Sequence, residues 1–251
     1  MNIKKLIAVT LSAATFALSL TACGGKSSDS SAGSSSAAES TTVKLGVVGS
    51  IYEDLWKPAQ ESLKAEGIDL EIVQFSDYAT PNNALNSGDI DLNAFQHQIY
   101  LDNEVEQQGY KIQSIGYTFI IPLNIYSHKV KAISDIKDGD VVAIPDDVTN
   151  GGRAIKVLAA AGLITLKEDA GFNPTLEDIK TYNTKITIKE LKANTIPSVL
   201  DDVTAAVVNG NYALDFGLKT EEAIYKDSVL DEEKYWNLIA ARTEDLQDKD
   251  K

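Results

Sequence analysis

From Val43 onward, short apolar runs alternate with stretches of helical spacing, and turn residues mark the joins. Val43–Val48 predicts a strand with a Gly-Ser exit, and Glu53–Ala65 predicts a helix closed by Gly67. Trp56 in that helix reads as a core or interface residue. Leu70–Phe75 and Ile90–Phe95 have strand length and turn-rich flanks. Between them Thr80-Pro81 predicts an N-cap with proline at the first helical position, and Asn86-Ser87-Gly88 predicts the stop. A strand–helix–strand unit of this size belongs in a parallel, doubly wound sheet, where ligands collect at the carboxyl ends of strands. Gln98–Gln107 predicts a helix ended by Gly109.

Ile112–Ser127 is a long apolar extended segment broken at Pro122. Proline is tolerated at edges and crossovers rather than in central strands, so this segment is expected to carry the chain into a second lobe. There Val141–Ile144, Thr187–Leu191 and Thr204–Val208 read as strands. A helix is expected from Arg153 to Ala161, capped by Gly162, with further helical patterns at Leu176–Tyr182, Ile196–Leu200 and Thr220–Tyr225. Trp236–Ala241 is a last apolar strand, placed to return to the first lobe. No repeat of solenoid period is visible.

The amino end changes the picture. Lys4 and Lys5 precede an uncharged, largely apolar run, Leu6–Leu20, too short to span a bilayer as a helix. Leu20-Thr21-Ala22-Cys23 resembles a lipobox, in which the leader is cut before a cysteine that then carries lipid. Cys23 is the sole cysteine, so an internal disulfide is impossible. Residues 24–42, rich in Ser, Gly and Ala, read as a flexible linker with a reach of roughly 25 Å. These features predict a protein anchored on the extracytoplasmic face of a membrane, because two or three acyl chains hold firmly where one does not. Loss of residues 1–22, which carry Lys4 and Lys5, takes the formal charge from -14 to -16. So acidic a domain is repelled by nucleic acid, and that class of partner is excluded.

Chemistry-bearing residues cluster after the predicted strands. Tyr78 follows the first of the paired strands, and Phe95, His97 and Tyr100 follow the second. They are either core aromatics with a polar neighbour or the wall of a pocket. Arg153 stands at the predicted start of a helix, where the dipole disfavours a cation, and Gly151-Gly152 leaves backbone N–H groups open. An anion bound there would explain both features; a salt bridge to Asp146 or Asp147 would explain the arginine alone. Asn209 and Asn237 follow or interrupt apolar strands. The first could be a turn residue, and the second needs a buried, hydrogen-bonded amide. His128 is the other histidine, so zinc is not expected. Nucleophile-elbow, Walker and His-Glu-x-x-His motifs are missing, and no enzyme activity or cofactor is expected.

FSDY…PN.AL…DID.NAFQH..YL, within Phe75–Leu101, resembles the signature of the NlpA/MetQ lipoproteins, the methionine-binding components of bacterial ABC importers. The likeness returns in IPDDVTNGGRAI, LDDVTAAVVNGNYA and YWNLIAAR. It implies an α/β fold of the two-lobe, periplasmic-binding-protein-like (type II solute-binding) kind, with a ligand cleft between lobes. The expected divisions are a leader at 1–22, lipidated cysteine and linker at 23–42, lobes at 43–128 and 129–232, and a return strand with charged tail at 233–251. By resemblance, Asn150 and Arg153 hold the carboxylate of an amino acid, and Asn209 and Asn237 complete the polar contacts. Tyr78, Phe95, His97 and Tyr100 then form the side-chain pocket. The implied ligand is L-methionine, with another apolar amino acid, a methionine-containing dipeptide or a surface-adhesion role as alternatives. The implied partners are an ABC permease and its ATPase. Ile99 and Asp146 depart from the family pattern, which has proline and asparagine there. The family pattern also continues past Lys251 with a helical segment over the first lobe, and an exposed apolar patch is expected in its place.

Overall fold

A computed structural model describes residues 41–228 and 232–247. The leader, Cys23 and nearly all of the linker lie outside the described residues, as does the end of the charged tail. In chain order the elements are β1 (Thr41–Val48), α1 (Ile51–Ala65), β2 (Ile68–Phe75), α2 (Thr80–Ser87), β3 (Leu92–Asn93), α3 (Gln98–Gln108) and β4 (Ile112–Tyr117). Then follow β5 (Leu123–Tyr126), β6 (Val141–Pro145), α4 (Val148–Ala160), β7 (Ile164–Leu166), β8 (Ile179–Tyr182), β9 (Thr187–Leu191), β10 (Ala205–Asn209), α5 (Gly210–Asp215) and β11 (Leu238–Arg242).

The first sheet has the order β2-β1-β3-β11-β4 and the second β5-β10-β6-β9; β7 and β8 form a small antiparallel pair. β1 is parallel to both β2 and β3, while β11 is antiparallel to β3 and β4. The return strand expected from YWNLIAA is thus built into the first sheet, between β3 and β4. β6 is parallel to β9 and β10, and β5 is antiparallel to β10. Expectation placed β5 in the first lobe, before a boundary at 128. It pairs in the second sheet because the chain crosses earlier, at residues 118–122, where Pro122 has no N–H to give a ladder.

Both faces of each sheet are covered in part. Leu85, Ile90, Leu101, Ile112 and Leu238 pack on one side of the first sheet, and Leu45, Val47, Tyr52 and Leu70 on the other. In the second sheet Val142, Ile144 and Val207 face Ile155 and Leu158 of α4, while Ala206 and Val208 face Ile196 and Leu200. Strands buried on both faces read as unbroken apolar runs, which is why they were legible.

Local differences have local causes. Thr80 lies inside α2 and does not cap it. Asp77 instead accepts from the N–H groups of Ala79 and Thr80, both at 2.9 Å, and Gly88 ends the helix with φ 83°. Linker residues Thr41 and Thr42 belong to β1, in register with Ile68 and Asp69. Ile90–Phe95 contributes just Leu92–Asn93 as strand. Leu176–Tyr182 is not helical: Asp178 accepts from Thr175 N (2.8 Å) and Oγ1 (3.1 Å), closing a single turn at Leu176–Asp178 before the chain extends into β8. Thr220–Tyr225 likewise holds one turn, Thr220–Glu222, and Ile196–Leu200 falls on the end of a 3₁₀ helix, Ala193–Val199, that contains Pro197 and is capped by Leu200.

Candidate functional site

The carboxyl ends of β1, β2, β3, β6 and β10 converge on one pocket. It brings together Tyr78, Phe95, His97 and Tyr100 with Asn150, Arg153, Asn209 and Asn237, residues spread over most of the chain.

Aromatic rings make one wall. Phe95 lies 5.9 Å from Tyr78, near parallel, and 6.0 Å from Tyr100, edge to face. The far ends of both tyrosines are tied down. Tyr78 donates to Asn211 Oδ1 at 2.6 Å, and Tyr100 donates to the Tyr78 carbonyl at 3.0 Å. Burial pushes both phenols well above their usual range, so they stay neutral donors.

His97 caps α3. Its Nδ1 accepts from Tyr100 N at 3.1 Å, and a backbone N–H can only donate, so the ring proton sits on Nε2. Nε2 points at Asn150 Oδ1, 3.5 Å away. Burial first, and the nearby Arg153 charge second, lower the imidazole to about 3. His97 is therefore a neutral group with a fixed tautomer.

Arg153 is not at the start of its helix. α4 begins at Val148 with Asp147 as N-cap, accepting from Asn150 N at 2.9 Å, and Gly151 N bonds Asp147 O at 2.7 Å. The glycines are thus not open donors, contrary to expectation. They are there for close approach. A Cβ on Gly151 would sit 2.9 Å from the Pro145 carbonyl oxygen, and one on Gly152 2.9 Å from the Asn173 Cα.

Arg153 does have a carboxylate partner, but it is neither Asp146 nor Asp147. Nη2 donates to Asp227 Oδ2 at 2.6 Å and to the Ile121 carbonyl at 3.2 Å, and the guanidinium carbon lies 4.6 Å from the Tyr235 ring centre. Ile121 belongs to the first crossover between sheets, while Asp227 and Tyr235 belong to the return. The guanidinium is held by both, and its buried Nε has no hydrogen-bond partner.

The asparagines form a chain. Asn150 Nδ2 donates to both Asp147 oxygens at 3.1 Å, and Asn209 Nδ2 donates to Asn150 Oδ1 at 2.9 Å. Asn209 Oδ1 is buried without a partner. Asn237 is buried and bonded as its position demands, Nδ2 donating to Tyr52 Oη at 2.9 Å, and its N–H and C=O pair with Phe119 and Thr118 across the two crossovers. A buried group left unpaired costs about 1–3 kcal/mol, so a lone donor at Arg153 and a lone acceptor at Asn209 in one pocket point to a ligand with complementary ends.

Tyr52, Gln96 and Asn211 also line the pocket and were not read from the sequence. Tyr52 had a signal: like Tyr100, it is an aromatic in the first turn of a helix that follows a strand. Asp227 had none.

Known proteins resemble this chain closely. The sequence model of the NlpA lipoprotein family matches residues 43–251. The D-methionine-binding lipoprotein MetQ of Salmonella typhimurium is 42% identical over 212 residues, which cover 82% of this chain and 76% of that protein. Outer membrane lipoprotein 3 of Mannheimia haemolytica is 40% identical over 242 residues, covering 95% and 86%. The structure of a nutrient-binding protein from Burkholderia cenocepacia bound to methionine superposes with a TM-score of 0.77 at 44% identity, covering 82% of this chain and 87% of that one.

Proposed function

The chain belongs to the NlpA lipoprotein family, and from that membership we propose that it captures methionine outside the cytoplasmic membrane and hands it to an ABC importer. It is a solute-binding protein with a two-lobe fold and not an enzyme. The observation that carries the reading is the pair of unsatisfied atoms, Arg153 Nε and Asn209 Oδ1, beside the Tyr78–Phe95–Tyr100 wall. A carboxylate suits the first and an ammonium the second. An apolar, polarisable side chain suits the rings, since sulfur–aromatic contacts add about 0.3–1.5 kcal/mol each. The relatives named for methionine support the same ligand.

In this reading the lobes are built on the two sheets, and the hinge is the crossover at 118–122 with the described parts of the return, 226–228 and 232–237. Closure is sealed by bonds between lobes: Asp215 Oδ1 accepts from Ser50 N (2.9 Å) and Oγ (2.6 Å), and Asn211 Nδ2 donates to the Val48 carbonyl (3.0 Å). A ligand shifts such an equilibrium only through contacts it makes better in the closed state, and the pocket takes residues from both lobes. Small-angle scattering on protein unfolded and refolded to strip ligand is the test. Methionine should reduce the radius of gyration, and an unchanged curve at saturation would contradict hinged capture.

No helix among the described residues is long and apolar enough to cross a membrane. Attachment in this reading is through lipid on Cys23, which keeps the domain near a permease and a separate ATPase. Cys23→Ser should abolish lipid labelling and release the protein, or leave an uncut precursor. Membrane fractionation checks this, and a wild type that takes up no lipid would refute the anchor.

A further inference from the structure

We propose that Asp147 acts as a specificity-determining residue without touching the ligand, by fixing which way two amides point. The inference rests on the reading of the pocket as an amino-acid site, and it names which chemical group the site demands next to the carboxylate.

An ionised carboxylate can only accept hydrogen bonds, whereas a side-chain amide can face a neighbour with either end. Asp147 sits at the N-cap of α4, where the helix favours its charge, and accepts from Asn150 N, Thr149 Oγ1 and Asn150 Nδ2. With both carboxylate oxygens 3.1 Å from Asn150 Nδ2, the Asn150 amide is forced to present Oδ1 on its other side. That oxygen meets Asn209, which must answer with its NH₂, at 2.9 Å. The His97 tautomer reinforces the same direction, because Tyr100 N occupies Nδ1 and leaves Nε2–H aimed at Asn150 Oδ1. Each link is thus donor-to-acceptor in one sense, from Asn209 and His97 through Asn150 to Asp147. The end of the chain is Asn209 Oδ1, a buried acceptor left to the pocket.

The consequence is a demand for a donor on the ligand's α-carbon. An amine satisfies it, a hydroxyl satisfies it without charge, and a 2-oxo group cannot, since it would set oxygen against oxygen. A site built around such a bond rejects the analogue lacking it far more strongly than a merely apolar pocket rejects a missing methylene. Asp147→Asn is the informative change. Asparagine caps helices as well as aspartate does, but it brings its own NH₂ to the Asn150 amide. The direction of the Asn150 amide then rests on the contact from His97 Nε2–H alone, at 3.5 Å too long to hold it, and Asn209 turns with it.

The experiment titrates stripped wild type and Asp147→Asn with methionine, its 2-hydroxy analogue and its 2-oxo analogue, which share the thioether side chain and the carboxylate charge. Wild type should bind methionine best and the 2-hydroxy acid at least tenfold more tightly than the 2-oxo acid, about the value of one hydrogen bond to a buried acceptor. In Asp147→Asn the hydroxy-to-oxo ratio should collapse towards one. Neither group is charged, so loss of the Asp147 charge alone would leave that ratio standing, and such a result overturns the proposal. Should Asp147→Asn fail to fold, the wild-type series still decides, since equal binding of the hydroxy and oxo acids overturns it as well. A wild type that binds no methionine would instead refute the proposed function itself.

Discussion

Arg153→Ala should lose methionine binding and a large part of the protein's stability together. The side chains of Arg153 and Asp227 are 5% and 0% exposed, so the substitution strips a buried carboxylate of its cation. Breaking a buried pair from one side costs about 3–5 kcal/mol. In a chain of this size that is a fall of roughly 6–20 °C in Tm. The ligand's charge-assisted bond accounts for a further loss of about 1.5–3 kcal/mol in binding, or more than tenfold in affinity. The double variant Arg153→Met, Asp227→Leu separates the two effects. Replacing both members with apolar groups leaves neither charge behind and should restore part of the melting temperature, less what the Leu123 N–H loses with its acceptor on Asp227. It should not restore binding. A double variant that binds methionine as wild type does would remove Arg153 from the site.

Phe95→Ala should cost about 3–5 kcal/mol of stability, the upper range for a buried aromatic, because its neighbours cannot collapse into the hole. Tyr78 is tied at its hydroxyl to Asn211 and Tyr100 to the Tyr78 carbonyl, so neither ring is free to move in. Methionine should bind more weakly, and its preference over leucine should narrow, since both ligands lose apolar contact but methionine alone loses a sulfur–ring contact. Denaturant melts and competition titrations measure the two quantities. An unchanged methionine-to-leucine ratio would place the thioether elsewhere.

The sequence carried the parts of this site that obey local rules. Tyr78, Phe95, His97 and Tyr100 stood out because they follow apolar runs of strand length, where such folds bind, but it was the resemblance to the lipoproteins that chose a pocket role over a core one. Asn209 and Asn237 stood out as polar residues that follow or interrupt otherwise apolar segments. Arg153 was singled out partly for a wrong reason, its place at a helix start, and partly by the resemblance. Its helix starts at Val148, and the signal was present in Asp147, a good N-cap residue followed by Val-Thr-Asn. Gly151-Gly152 was legible as special but not as a point of close approach, because Asn173 lies far along the chain. Asp227 could not be read at all. Two of its partners, Arg153 and Leu123, are 74 and 104 residues away, and nothing local marks a buried carboxylate. The short turns at Leu176–Asp178 and Thr220–Glu222 failed for another reason: one helical turn and a short polar strand have too few residues to fix a period.

The central claim is that this pocket is built for methionine, and calorimetry on ligand-stripped wild-type protein tests it most directly. Leucine and norleucine are the competitors that matter, since selectivity between apolar side chains that differ by a methylene is worth about 1–3 kcal/mol. Methionine should bind more tightly than either, with one site per chain. Titrations that show no heat for any amino acid, or leucine bound as tightly as methionine, would contradict the account.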